Sequence, residues 1–237
     1  MCELCDRKFV SRRLVLAGGL ALAGAVAAPP LARAAVGVGA PNAIPPAEAM
    51  RRLREGNVRY AADKPTQCDF AAGRAELVTA QYPIAAILSC ADSRVTPERI
   101  FDQAAGQLFI VRVAGNFVDN AGLASLEYAV RFLGVPLIVV LGHSGCGAIA
   151  SALKVIQQGA KLPGHLPELV QDLMPGVQAA IKRKPKDLLA EAIAENVRYN
   201  VAQLRHDQPV IGDQVVSGAV GVAGGVYDIA TATVRFL

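Results

Sequence analysis

Cys90-Ala91-Asp92-Ser93-Arg94 is answered about fifty residues later by His143-Ser144-Gly145-Cys146. Two thiols and one imidazole supply three of the four ligands that tetrahedral zinc takes, and the missing fourth leaves room for water or substrate. A structural zinc site is closed by protein on all sides, so three ligands point to catalysis at the open position. Asp92 and Arg94 stand beside Cys90 in a segment that reads as an extended loop, where the arginine fork can grip the carboxylate. The other cysteines lack such partners: Cys2 and Cys5 form a single Cys-x-x-Cys near the start of the chain, and Cys68 stands alone in a polar stretch.

Elements able to position these ligands are legible as alternating apolar runs and amphipathic segments. Helix is expected over Ala47 to Ala61, and a shorter one over Ala71 to Thr79. Ile84 to Ser89 reads as a buried strand. Thr96-Pro97-Glu98 is a helix start, with a hydroxyl N-cap, proline at the first position and an acid in the first turn. Leu108 to Val113 reads as a second strand, Ala121 to Phe132 as a helix, and Leu137 to Leu141 as a third strand. Gly142 to Gly147 then turns into a helix running to about Gln158, and two more helices follow at Pro167 to Lys182 and Lys186 to Arg205. The glycine-punctuated stretch Val215 to Gly225 is expected to end the sheet, with Val226 to Ile229 and Thr233 to Leu237 as a closing hairpin.

Strands alternating with helices imply an α/β fold whose mostly parallel central sheet is flanked by helices. In such sheets, ligands gather at the carboxyl ends of the strands. Cys90 follows the first strand and His143 the third, so two ligands project from that edge. Cys146 begins the next helix, where it can turn back to the same metal.

Residues 1–34 read as an export signal. An arginine pair, Arg12-Arg13, precedes an uncharged apolar run from Leu14 to Ala28, and Ala32-Arg33-Ala34 offers a small-x-small cleavage site. The run resembles a twin-arginine signal and is shorter than the roughly twenty residues that span a bilayer core, so the expectation is a cleaved leader and a periplasmic product, with membrane attachment only if the leader stays. Residues 35–46, rich in Gly and Pro, read as a linker, and 47–237 as a single zinc-enzyme domain. The chain has 24 Lys+Arg against 20 Asp+Glu. Five of the former and two of the latter lie in residues 1–34, which leaves 19 against 18, a net +1. The run Lys182-Arg183-Lys184-Pro185-Lys186 then reads as a solvated helix end, and no nucleic-acid partner is expected.

The two cysteine motifs resemble those of the β-class carbonic anhydrases. The likeness extends through Gly56-Asn57-x-Arg59-Tyr60, Gln81-x-Pro83, Phe109-x-Val111-Arg112, Glu127-Tyr128-Ala129-Val130 and Tyr227-Asp228-x-x-Thr231, and it departs at Val113-Ala114-Gly115-Asn116. The resemblance implies one Zn2+ per chain held by Cys90, His143 and Cys146, interconversion of carbon dioxide and bicarbonate, and assembly into dimers or tetramers. It makes Asp92 and Arg94 a catalytic dyad that orients zinc-bound hydroxide. Gln81, Phe109 and Tyr128 become substrate-pocket residues, and Asp92 a possible fourth zinc ligand in a closed state. Elementary chemistry agrees, since zinc acidifies a bound water, two thiolates blunt that effect, and a neighbouring group must compensate. Three other readings stay open on the residues alone: the same site acting on carbonyl sulfide or carbon disulfide, a non-catalytic zinc protein closed by Asp92, and a Cys-His hydrolase that leaves one cysteine idle.

Overall fold

Ala85–Ser89 and Leu137–His143 are buried at every position, which is why neither sequence alternates: each strand is covered on both faces. The structure is a computed structural model that describes residues 40–67 and 73–237. Among the described residues one sheet comprises β1 (Ala85–Ser89), β2 (Leu108–Arg112), β3 (Leu137–His143), β4 (Gly221–Tyr227) and β5 (Val234–Phe236), in the spatial order β2-β1-β3-β4-β5. All neighbours run parallel except β4 and β5. The helices are α1 (Pro46–Ala61), α2 (Arg74–Leu77), α3 (Pro97–Ile100), α4 (Asn120–Leu133), α5 (Gly147–Gln158), α6 (Leu166–Arg183), α7 (Leu188–His206) and α8 (Ile211–Val216).

Strand alternation sorts the core into two layers. Ala86, Leu88, Ile138, Val140 and Val222 meet α4 through Leu126, Ala129 and Val130, and α7 through Val197, Val201 and Leu204. Ala85, Ile87, Leu108, Val139 and Leu141 face the other way, onto Ala49 and Leu53 of α1 and onto Ile100 and Phe101. Two glycines let α7 press against the sheet: a Cβ at Gly142 or Gly224 would lie 2.8 or 2.6 Å from Val197. A third cluster joins α5, α6 and α7 around Cys90 and Cys146.

Several boundaries differ from the sequence reading, each for a tertiary reason. The stretch from Val215 to Gly225 is not one strand: its start closes α8, a turn follows, and β4 begins at Gly221 and continues to Tyr227. The closing hairpin is therefore β4 with β5, paired from Gly225↔Phe236 to Tyr227↔Val234. Thr96 stands at the N-cap of α3 without a side-chain cap bond, so Pro97 and the first-turn acid Glu98 shape that start. Residues 40–45, expected as linker, are docked: Asn42 is 1% exposed and its amide donates to Pro83 O and Leu133 O at 3.1 and 2.7 Å. Pro41 there lies in a tight turn closed by Ala43 N on Ala40 O at 2.8 Å, not in a tether. The 1–34 leader, Cys68 and the start of the expected 71–79 helix lie outside the described residues.

The Gly56-Asn57-x-Arg59 motif ties α1 to its neighbours. Asn57 Nδ2 donates to Ile100 O and Ala232 O, both at 3.0 Å, and its Oδ1 accepts from Val234 N at 2.8 Å, joining α1, α3 and β5. Arg59 Nε donates to Asp102 at 2.6 Å, and the Thr66 and Gln67 amides and Thr66 hydroxyl complete that carboxylate's shell. Burial pushes the Asp102 carboxyl up, but the Arg59 guanidinium and these donors outweigh it and hold it below its ordinary range. Its stabilisation is complete above the unfolded carboxylate pKa and fades as pH falls through the lower folded value. Asp102→Asn is therefore expected to cost about 3 kcal/mol at neutral pH, and urea unfolding curves of variant and wild type should converge as the solution is acidified. A gap independent of pH would refute this account of Asp102.

Candidate metal centre

β1 and β3 are direct neighbours, with Ser89 paired to Leu141, so their carboxyl ends emerge side by side. Cys90 is the first residue beyond β1. His143 is the last residue of β3 itself, two positions further than the expected strand end. Gly145, at φ +67°, makes the tight turn that brings Cys146 to the N-cap of α5. Two sulfurs and one ring nitrogen are thus gathered within 4.8 Å of one another, near enough for one ion with bond lengths of roughly 2.0–2.3 Å to draw all three in. Cys90, His143 and Cys146 are 4%, 0% and 1% exposed.

His143 Nδ1 lies 3.1 Å from Ser144 O. A ring nitrogen facing a carbonyl carries the hydrogen, so Nε2 presents its lone pair inward. That Nε2 is buried with no partner, which is costly for a polar atom unless something else binds it. Ser144 is itself stitched to the end of β4, through its N–H on Tyr227 O at 2.8 Å and its Oγ accepting from Ile229 N at 3.0 Å. The orphaned nitrogen between two thiols fits a thiophilic divalent cation.

The two thiols titrate as a pair. The neighbouring Cys146 thiol draws the Cys90 pKa well down, with His143 and the Gly115 and Asp92 amides adding to the effect against burial. The same contact, with burial, pushes Cys146 up, while the Ala148 and Ile149 amides at the start of α5 pull the other way. Gly115 N–H donates to Cys90 Sγ at 3.3 Å.

Asp92 and Arg94 do not sit in an extended loop. Val95 N bonds to Asp92 O at 3.0 Å, closing a turn, and Arg94 N bonds to Asp92 Oδ1 at 3.0 Å inside it. Within that turn Arg94 Nε and Nη2 take the two carboxylate oxygens at 2.9 and 2.7 Å. The guanidinium holds the Asp92 carboxyl far below the usual carboxylate range, so at neutral pH the group is ionised and can only accept hydrogen bonds. Asp92 Oδ2 lies 3.9 Å from His143 Nε2: at the mouth of the ligand set, yet engaged by arginine.

The remaining expected pocket residues are not gathered here by a single chain. Gln81 is exposed before the amino end of β1, while Cys90 leaves the carboxyl end, about 13 Å away along the strand at the usual rise. Phe109 lies on the edge strand β2, with its ring 6.4 Å from Tyr128, which in turn lies 5.2 Å from Phe132. Tyr128 and Phe132 are 48% and 47% exposed. The sequence reading assigned no role to the Gly115 amide or to Ser144, because a backbone donor and a stitching hydroxyl leave no mark in residue type.

Known proteins similar to this chain are consistent in kind. Residues 85–234 match the family described as carbonic anhydrase. The chain is 37% identical over 196 residues to a carbonic anhydrase of Mycolicibacterium smegmatis, covering 82% of this chain and 94% of that one. It is 40% identical over 185 residues to carbonic anhydrase 2 of Mycobacterium tuberculosis, covering 78% and 89%. Among solved structures, the β-carbonic anhydrase CcaA superposes with a TM-score of 0.64 at 28% identity, over 79% of this chain and 94% of the other. One of two tetrameric β-carbonic anhydrases from Sordaria macrospora gives 0.64 at 25% identity, over 80% and 97%. On this family match, these identities and this shared fold, the chain belongs to the carbonic anhydrase family, in its β-class.

Proposed function

We propose that the chain is a zinc enzyme that hydrates carbon dioxide reversibly to bicarbonate and a proton. The buried Cys90–His143–Cys146 set, with the unpartnered His143 Nε2 aimed into it, carries this reading. Zinc bound there would acidify a water molecule so that hydroxide is available near neutral pH. The chain's own groups do the rest. The amides on the two sulfurs draw charge from them, so these thiolates quench a cation less than bare ones would. Asp92, kept ionised by Arg94, accepts the hydrogen of the attacking oxygen and turns a lone pair toward carbon dioxide.

Gln81, Phe109 and Tyr128 enter the pocket in this reading only if a second copy supplies them. The exposed Tyr128 and Phe132, beside half-buried Phe109 of the edge strand, make a suitable contact, and self-association into dimers or tetramers follows. An amide from Gln81 would then stabilise charge growing on the substrate oxygen.

The test is a metal analysis with a pH-indicator hydration assay, run beside carbonyl sulfide and carbon disulfide turnover. Zinc-loaded protein inert toward carbon dioxide would end the proposal, and faster turnover of a sulfur analogue would transfer it to that substrate. Asp92→Ala is expected to retain zinc and lose about a hundredfold in kcat, the scale of a removed electrostatic partner. Loss of zinc instead would favour a structural site closed by Asp92, against which the Arg94 grip on both carboxylate oxygens argues.

We further propose export of the domain with cleavage of the 1–34 leader. Changing Arg12-Arg13 to lysines should hold the protein in the cytoplasm; unchanged periplasmic yield would refute the twin-arginine route.

A further inference from the structure

The segment after β1 must meet two demands at once. Cys90 turns its sulfur inward, and two residues later Asp92 presents its carboxylate at the mouth. The main chain there is tied to β2 by Ala91 N on Val113 O and Val113 N on Ser89 O, each at 3.2 Å. Arg112, the last residue of β2 and paired in register with Ser89, adds a different kind of tie. Its Nε donates to Cys90 O at 3.1 Å and its Nη2 to Asp92 O at 2.7 Å. One planar guanidinium therefore spans the backbone of a metal ligand and of the orienting carboxylate.

Nothing in the strand itself requires an arginine at this place. Leu108, Phe109, Ile110 and Val111 pack into the two core layers, whereas Arg112 is exposed. Its guanidinium bonds to two carbonyls and, among the described residues, to no carboxylate. A rigid fork with fixed spacing between its nitrogens constrains its two acceptors relative to each other, which a flexible ammonium cannot do.

The turn from Asp92 to Val95 already locks Asp92 to Arg94 through three bonds. The acid and its arginine thus move as one body, and what remains to be set is the position of that body relative to Cys90. We propose that Arg112 is a positioning residue for the hydration reaction, acting through the carbonyls of Cys90 and Asp92 to keep the Asp92 carboxylate aimed at the open side of the ligand set. Without the fork the turn can drift toward His143 Nε2, only 3.9 Å from Asp92 Oδ2, and a carboxylate there would occupy the position the substrate needs. The inference rests on the zinc carbonic anhydrase reading above.

The test compares full-length wild type, Arg112→Ala and Arg112→Lys, each loaded with zinc and separately with cobalt(II). Arg112→Ala should keep one zinc per chain and a melting temperature close to wild type. Its kcat should fall roughly ten- to a hundredfold, the cost of a small misplacement at a reacting centre, with KM moving much less. Arg112→Lys should recover part of the loss, since its ammonium reaches one carbonyl at a time. The visible cobalt band of Arg112→Ala should shift from that of wild type, reporting a changed fourth ligand without any turnover. Wild-type kcat per bound zinc together with a wild-type cobalt spectrum would overturn the proposal, as would a loss fully explained by missing metal or unfolding. If Arg112→Ala fails to fold, Arg112→Lys decides by the same readings. An inactive wild type would mean the carbonic anhydrase reading had failed, while the cobalt comparison would still report whether Arg112 holds the loop.

Discussion

Replacing His143 with alanine is expected to remove zinc and carbon dioxide hydration together while leaving the chain folded. The imidazole is the single neutral ligand and sits at the end of β3 with its Nε2 unpartnered. Groups that merely support a metal ligand are worth 10–100-fold in affinity, so loss of the ligand itself should cost at least about a hundredfold, and turnover should fall to the level of residual metal. The stability readout separates this from simple damage. In metal-free wild type the buried orphan nitrogen already costs about 1–3 kcal/mol; the variant is relieved of this but loses the packing of a fully buried ring, so the two metal-free proteins should unfold at similar denaturant concentrations. Added zinc binds the native state alone and should raise the melting temperature of wild type; it should leave the variant's unmoved. A variant that still binds one zinc per chain with native affinity would show that the ligand set has been misread.

Gly56→Ala is expected to reverse the usual sign of its substitution. Inside an exposed helix this change stabilises by about 0.5–1 kcal/mol. Here the new Cβ would lie 1.8 Å from Phe101 O and 2.7 Å from Phe101 C. Those are backbone atoms, and Asn57 on Ile100 O and Arg59 on Asp102 fix the main chain on either side of them. The neighbour cannot yield, so α1 must lift. Lifting it also strains the Asn57 bonds that hold the turn and start of β5, at Ala232 and Val234. A loss of about 3 kcal/mol or more follows, at the upper end for overpacking, and a lowered urea midpoint would show it. The folded fraction should still bind zinc, because the ligands hang from β1, β3 and α5. An unchanged or raised midpoint would mean that α1 does not pack on Phe101 as described.

These two residues mark what local patterning conveys. By local propensity a glycine in a helical stretch is only a weak point, and the close approach of the Phe101 backbone shows that Gly56 is required. Asn42 behaves similarly: in a Gly- and Pro-rich run it resembles linker, and its burial depends on carbonyls of Pro83 and Leu133 that no local pattern announces. The stretch from Val215 to Gly225 misled for another reason. Val215 at the helix end and Val220 and Val222 at the strand start pack on the same core, and the exposed Val216, Ser217, Gly218 and Ala219 between them carry no charge, so hydrophobicity alone could not divide them. By contrast β1 and β3 were plain, since uncharged runs of that length between helix signals have few other destinations.

Residue type and order by themselves determined the ligand chemistry, two soft sulfurs and an imidazole with an acid and an arginine close by, and the strand–helix alternation that makes a parallel sheet. Such features are short-range, carried by the donor atoms themselves and by hydrophobic periodicity. Tertiary structure decided the rest. Placing β1 directly against β3 closes a gap of about fifty residues; the bidentate pairing of Asp92 and Arg94 rides on a tight turn; and Gln81 fell at the far end of its strand from Cys90. Strand order, register and the direction in which a turn faces depend on contacts between segments remote in sequence, and no window of neighbouring residues contains them.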